Sequence, residues 1–99
     1  MEVNNVTKKY RKQLGLSVRE FSNAINKRLI NTGMSPSMVS RIENEHNEPP
    51  LSLLFECIAT YPGTWIASWA VDTICAMYPD LVQSGVIKFN LPSQSTITE

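Results

Sequence analysis

Ser35-Pro36-Ser37-Met38-Val39-Ser40-Arg41-Ile42-Glu43-Asn44 is the stretch on which the reading of this chain turns. Ser35 can cap a helix with its hydroxyl. Pro36 then falls at the first helical position, where its fixed φ helps and its missing N–H costs nothing. At about 100° per residue, Met38, Val39 and Ile42 gather on one side, and Ser37, Ser40, Arg41 and Asn44 on the other. One face can pack while the other carries short hydroxyls, an Arg and an Asn. These side chains fit a major groove and bond base edges or phosphates. A Ser-rich amphipathic helix is by itself also an ordinary solvated helix, so its neighbours must decide.

Upstream, Leu14-Gly15-Leu16-Ser17-Val18-Arg19-Glu20-Phe21 predicts a helix end, a tight turn and a new helix. Gly15 suits the left-handed position that closes a helix, and Ser17 with Glu20 three residues on makes a capping box. Before it, Val3, Val6, Tyr10 and Leu14 form the stripe of a first helix, with Lys8 and Lys12 opposite. The second helix carries Phe21, Ile25 and Leu29 and is expected to stop at Asn31-Thr32-Gly33. After the third, Asn47-Glu48-Pro49-Pro50 breaks the chain. Leu51, Leu54, Phe55 and Ile58 then line a fourth helix that ends before Pro62-Gly63. A fifth begins near Thr64, contains Trp65, Ile66, Trp69, Ala70, Ile74 and Met77, and stops before Pro79. Beyond Gly85, Ile87, Phe89 and Leu91 alternate with Lys88 and Asn90 as in a short strand, and residues 93–99 read as a polar tail. The expected fold is all-α with five helices, in one helix-turn-helix domain over 1–84 with an extension over 85–99.

Ninety-nine residues make one domain, and an apolar share of 42% is ordinary for a globular protein. The first residues do not resemble a secretory signal, and the longest nearly apolar run, Trp65 to Val71, is too short to cross a bilayer. The chain is expected in the cytoplasm, away from membranes. Cys57 and Cys75 form no CxxC pair and no metal-ligand set, so they read as reduced core thiols. His46 stands alone in a polar run. No glycine-rich phosphate loop and no G-x-S-x-G turn occurs, so the chain does not read as an enzyme and needs no metal or cofactor. The formal net charge is zero, yet residues 1–41 hold eight basic groups against two acidic, whereas residues 42–99 hold one against seven. A molecule polarised from +6 to −6 can offer one basic surface to phosphates.

Over roughly residues 3 to 77 the chain resembles the lambda-repressor-like, Xre-type helix-turn-helix domains of phage repressors, Cro proteins and bacterial regulators. Two segments carry the likeness: Tyr10-Arg11-Lys12-Gln13-Leu14-Gly15-Leu16-Ser17 leading into Glu20-Phe21, and Met38-Val39-Ser40-Arg41-Ile42-Glu43-Asn44 followed by Pro49. The resemblance implies that the second and third helices form the motif and that the third enters the major groove. Ser37, Ser40 and Arg41 match base-reading positions. Pro36 matches one too but offers no polar side chain. Backbone contacts are expected from Lys8, Lys12, Ser17, Arg19, Lys27, Arg28 and Asn44. The family's pattern also pairs an Arg late in helix one with a Glu near the end of helix three, here Arg11 and Glu43; the alternative is two unpaired surface charges.

The chain departs from the bacterial pattern where Asn26-Lys27-Arg28-Leu29-Ile30-Asn31-Thr32-Gly33 replaces a shorter turn. A longer second helix is expected, similar to POU-specific domains, with Lys27 and Arg28 either touching the DNA backbone or solubilising the extra turn. The function implied is a sequence-specific transcriptional regulator, a repressor binding double-stranded DNA as a homodimer joined through its C-terminal half. The competing reading is an antitoxin or adaptor that grips a protein partner with Trp65, Trp69, Tyr78 and Phe89, unless those aromatics simply pack internally.

Overall fold

The computed structural model describes residues 3–30, 32–45 and 47–88, which carry six helices. They are α1 (Val3–Gln13), α2 (Val18–Asn26), α3 (Pro36–Glu45), α4 (Leu51–Thr60), α5 (Trp65–Met77) and α6 (Pro79–Gln83). The turn out of α1 is where sequence and geometry meet most directly. Gly15 sits at φ +69°, Leu16 N–H reaches back to the Arg11 carbonyl (3.0 Å) and Gly15 N–H to that of Lys12 (3.1 Å). These two bonds satisfy the last carbonyls of α1 while reversing the chain. Two residues on, Ser17 Oγ accepts from Glu20 N–H (3.1 Å) and Glu20 Oε1 from Ser17 N–H (2.8 Å), so the capping box is closed.

The core gathers one stripe from each long helix: Val6, Phe21 and Ile25, Val39 and Ile42, Leu53, Leu54 and Cys57, then Trp69, Ala70 and Ile74, all nearly inaccessible. Trp69 lies at its centre. Its ring meets Phe21 edge-on with centroids 5.5 Å apart, and its indole N–H donates to the buried Thr7 hydroxyl (3.1 Å). The polar end of the largest buried side chain is thereby satisfied. α5 supports both α4 and α1, and α1 in turn carries α3, which also packs on α2. Tyr10 fastens α1 to α5 by donating to Asp72 (2.6 Å), and burial, then this bond, push its phenol above the ordinary range.

Two expectations, one about the length of a helix and one about the number of helices, need correction. The second helix is not extended, and its stop is not Asn31-Thr32-Gly33: α2 ends at Asn26. Tyr61, from the end of α4, enters the ladder where the next turn would form. Its hydroxyl accepts from Arg28 N–H (2.8 Å) and donates to the Ile25 carbonyl (2.6 Å). In a continuing helix Arg28 N–H would bond the Ala24 carbonyl. Residues 27–30 and 32–33 therefore lie outside any helix, and Leu29 reaches the core from there. A sixth helix also follows the five expected. α5 does stop before Pro79, but that proline occupies the first turn of α6, the position where a missing N–H is harmless. Gly85 closes α6 at φ +84°, and Ile87 N–H turns back to the Leu81 carbonyl (3.2 Å). Residues 89–91 of the suggested strand, and His46, lie outside the described residues.

Candidate nucleic-acid interface

α3 begins as its sequence predicts. Ser35 Oγ accepts from Met38 N–H (3.0 Å) and Pro36 opens the helix. Val39, Ile42 and Glu43 are buried, so the inner face is fixed. Arg11 and Glu43 are brought together. The guanidinium donates from Nε to Oε2 (2.7 Å), from Nη2 to Oε1 (2.9 Å) and from Nη1 to the Leu16 carbonyl (3.1 Å). One side chain thus ties α1, the turn after it and α3 into a single unit. The two parallel bonds to Glu43, and its charge, raise Arg11 further above its already high pKa against an opposing effect of burial. Three of the five guanidinium N–H groups are engaged in this way, and two remain.

The opposite face of α3 has a different character. Ser37, Arg41 and Asn44 are exposed and Ser40 is half-exposed. Their hydrogen bonds are local and long: Arg41 Nε to the Ser37 carbonyl at 3.4 Å and Asn44 Nδ2 to Ser40 Oγ at 3.3 Å. Arg41 makes no ion pair among the described residues, so its planar fork is available. A shallow open cleft of about 360 Å³ adjoins it, lined by Met38, Arg41, Ile42, Asn47, Glu48 and Pro50. Lys8 and Lys12 are exposed on α1, Ser17 and Arg19 at the start of α2, and Lys27 and Arg28 in the loop that follows it. Ser17 has its Oγ acceptor engaged by the capping box, but its hydroxyl hydrogen can still be donated.

Trp69 is wholly buried and so is withdrawn as a partner-binding residue. Trp65 is half-buried with its ring 5.4 Å from that of Phe21, and Tyr78 packs against the core. Phe89 lies outside the described residues. Both thiols are free, with Cys57 buried; burial, and then the Glu56 charge, push Cys57 up to about 12. No group of His, Cys, Asp and Glu suited to a metal ion occurs among the described residues, and none of their helices is long and apolar enough to cross a membrane.

Sequence reasoning missed Asn26, Glu56 and Tyr61, which hold the loop between α2 and α3. Asn26 pairs with both backbone groups of Met34, and Glu56 accepts from Ile30 N–H (3.2 Å) and Thr32 Oγ1 (2.6 Å). An Asn next to a helix end is a weak hint of such a role, whereas Glu56 and Tyr61 give none, because they act across more than twenty residues of chain.

A model of the Xre/lambda-repressor-like helix-turn-helix family matches residues 8–64, more than half of the chain. The chain belongs to this helix-turn-helix family, and it carries the DNA-binding domain that defines it. No curated protein and no solved structure matches it significantly.

Proposed function

We propose that this chain is a sequence-specific transcriptional regulator, a cytoplasmic repressor that reads the major groove with α3 and binds as a homodimer. The observation that carries this reading is the division of α3. Its inner face is locked by Val39, Ile42 and the Arg11–Glu43 pair, while Ser37, Ser40 and Arg41 on the outer face have no tertiary partner among the described residues. A helix fixed on one side with donors projecting from the other can hold those donors in register with base edges. Lys8, Lys12, Ser17, Arg19, Lys27, Arg28 and Asn44 are the backbone contacts in this account. They position the protein and supply attraction without sequence information.

Leu81 (40% exposed) and Val86 (71% exposed), two of the large apolar residues left exposed, lie in the C-terminal half from which the homodimer contact is proposed. Two copies would place two α3 helices on half-sites about one helical turn apart, and their symmetry would make the site palindromic. The competing antitoxin or adaptor reading loses ground with the burial of Trp69. Selection from a random duplex pool tests the proposal. An enriched palindromic site supports it, and a pool that emerges unenriched refutes sequence-specific reading. For the enriched duplex, log affinity should fall linearly with log salt, by about 0.9 per phosphate neutralised. Sedimentation showing a monomer at high concentration, with and without that duplex, would remove the dimer.

A further inference from the structure

The segment from Lys27 to Ser35 must deliver the start of α3 to a defined place, and its own sequence is poorly suited to do so. A loop of this length outside regular structure has many conformations, and ordering each residue has an entropic cost. Three side chains outside the loop restrict it. Tyr61 holds its first residues and Glu56 its middle. Asn26 holds its far end. Its Nδ2 donates to the Met34 carbonyl (2.7 Å), and its Oδ1 accepts from Met34 N–H (2.7 Å). Both edges of one amide are therefore spent on one residue's backbone.

The position of that residue gives the bonds their consequence. Met34 directly precedes Ser35, the hydroxyl cap of α3, and its side chain is only 1% exposed in the core. Where the Met34 backbone sits, and how it is turned, sets the origin and direction of α3. Arg11 holds the other end of the helix through Glu43. With Asn26 present, α3 is fixed by hydrogen bonds at both ends; without it, only the apolar packing of Met34 and Val39 holds the first turn, and no hydrogen bond opposes a small pivot about Glu43. We infer that Asn26 is a positioning residue for DNA reading, which fixes the first turn of α3 through Met34 and touches no nucleotide itself. The inference rests on the proposed reading of α3 as the recognition helix.

The two kinds of DNA contact respond differently to such a pivot. A hydrogen bond to a base edge needs its atoms within a few tenths of an ångström of the right separation. Attraction between Lys or Arg and phosphate decays over a screening length of about 8–10 Å. Loss of the Asn26 clamp should therefore reduce discrimination between sequences and leave attraction to DNA in general nearly unchanged. A residue needed only for folding would lower both together, in proportion to the folded fraction.

The test uses the full chain with Asn26→Ala and Asn26→Asp. Asn26→Asp keeps an acceptor for Met34 N–H but sets a carboxylate against the Met34 carbonyl. Amide hydrogen exchange at Met34 is measured without DNA. Affinities are then measured for the duplex recovered from the random pool and for a scrambled duplex of equal length and composition. For Asn26→Ala, exchange at Met34 should quicken by about tenfold or more. The ratio of the two affinities should fall by about tenfold, with scrambled-duplex affinity unchanged within about twofold. Asn26→Asp should lie between wild type and Asn26→Ala, and it carries the test if the alanine variant does not fold. A ratio that stays at the wild-type value despite faster exchange overturns the positioning role, as does unchanged exchange. A wild-type chain that binds both duplexes alike overturns the reading of α3 itself, and that result is seen before any substitution is made.

Discussion

Replacing Arg11 with Met should be among the most damaging single changes this fold can suffer, although the residue lies at the edge of the core. The guanidinium makes two bonds to the Glu43 carboxylate and one to the Leu16 carbonyl, and the two charged side chains are 18% and 3% exposed. An exposed pair would contribute about 0–1 kcal/mol. Here the substitution leaves a carboxylate almost wholly out of water with its main partner gone, which costs about 3–5 kcal/mol. In a domain of this size that is a fall in Tm of about 15 °C or more. Arg11→Met combined with Glu43→Leu should be less destabilised than Arg11→Met alone, because the stranded charge is removed together with its partner. Both variants lose the bond to Leu16, so the comparison isolates Glu43. Urea unfolding followed by circular dichroism, with the m-value held as a check on cooperativity, measures wild type, Arg11→Met, Glu43→Leu and the double variant. If Arg11→Met lies within about 1 kcal/mol of wild type, or if the double variant costs the sum of its singles, the two side chains contribute no more than an exposed pair.

Gly15→Ala, at φ +69°, should cost about 1–2 kcal/mol, whereas Gly33→Ala, whose new Cβ meets Asn26 Oδ1 at an ordinary 3.6 Å, should be neutral or slightly stabilising. Equal unfolding midpoints for the two would contradict this. The Cys57 thiol, raised to about 12 by burial and then by Glu56, favours the folded state in its neutral form. Its contribution is complete below the unfolded thiol value near 8.5 and declines as pH rises toward 12. Cys57→Ala should flatten the alkaline limb of the unfolding midpoint against pH. Parallel limbs for variant and wild type would count against it. With a thiol reagent at neutral pH, Cys57 should label only on unfolding, whereas Cys75 is partly accessible in the native chain.

The elements legible in the sequence are those whose determinants are local. Ser35 and Pro36 start α3, Gly15 turns the chain, and Ser17 with Glu20 opens α2, each through bonds spanning five residues or fewer. The same holds for the two faces of α3, which follow from helical period alone. The end of α2 was not legible. Phe21, Ile25 and Leu29 keep the helical spacing, and nothing nearby says that a hydroxyl from Tyr61 will take the place of the next turn. Trp69 could be read as core or as partner surface because its spacing fits both, and only the packing of α1 and α2 around it decides. Pro79 stops one helix and starts the next, so a breaker signal hid α6. For the candidate interface, residue types and spacing indicated which side chains could face DNA. Two of the three supports of the loop, Glu56 and Tyr61, came from α4 and its C-terminal end, beyond the reach of a local pattern.

Whether α3 reads bases is decided by the contrast between Arg41 and Lys12. Arg41 is exposed, with one weak bond to its own helix, and its fork can donate twice to the O6 and N7 of a guanine. Lys12, exposed on α1, can offer a phosphate only a mobile charge. Binding profiles of wild type, Arg41→Ala and Lys12→Ala over one randomised duplex pool should separate the two roles. Arg41→Ala should lose preference at one base position in each half-site, at a cost of about 1–3 kcal/mol, while Lys12→Ala should weaken all sequences alike. Base preferences in a folded Arg41→Ala chain that match those of wild type would contradict it.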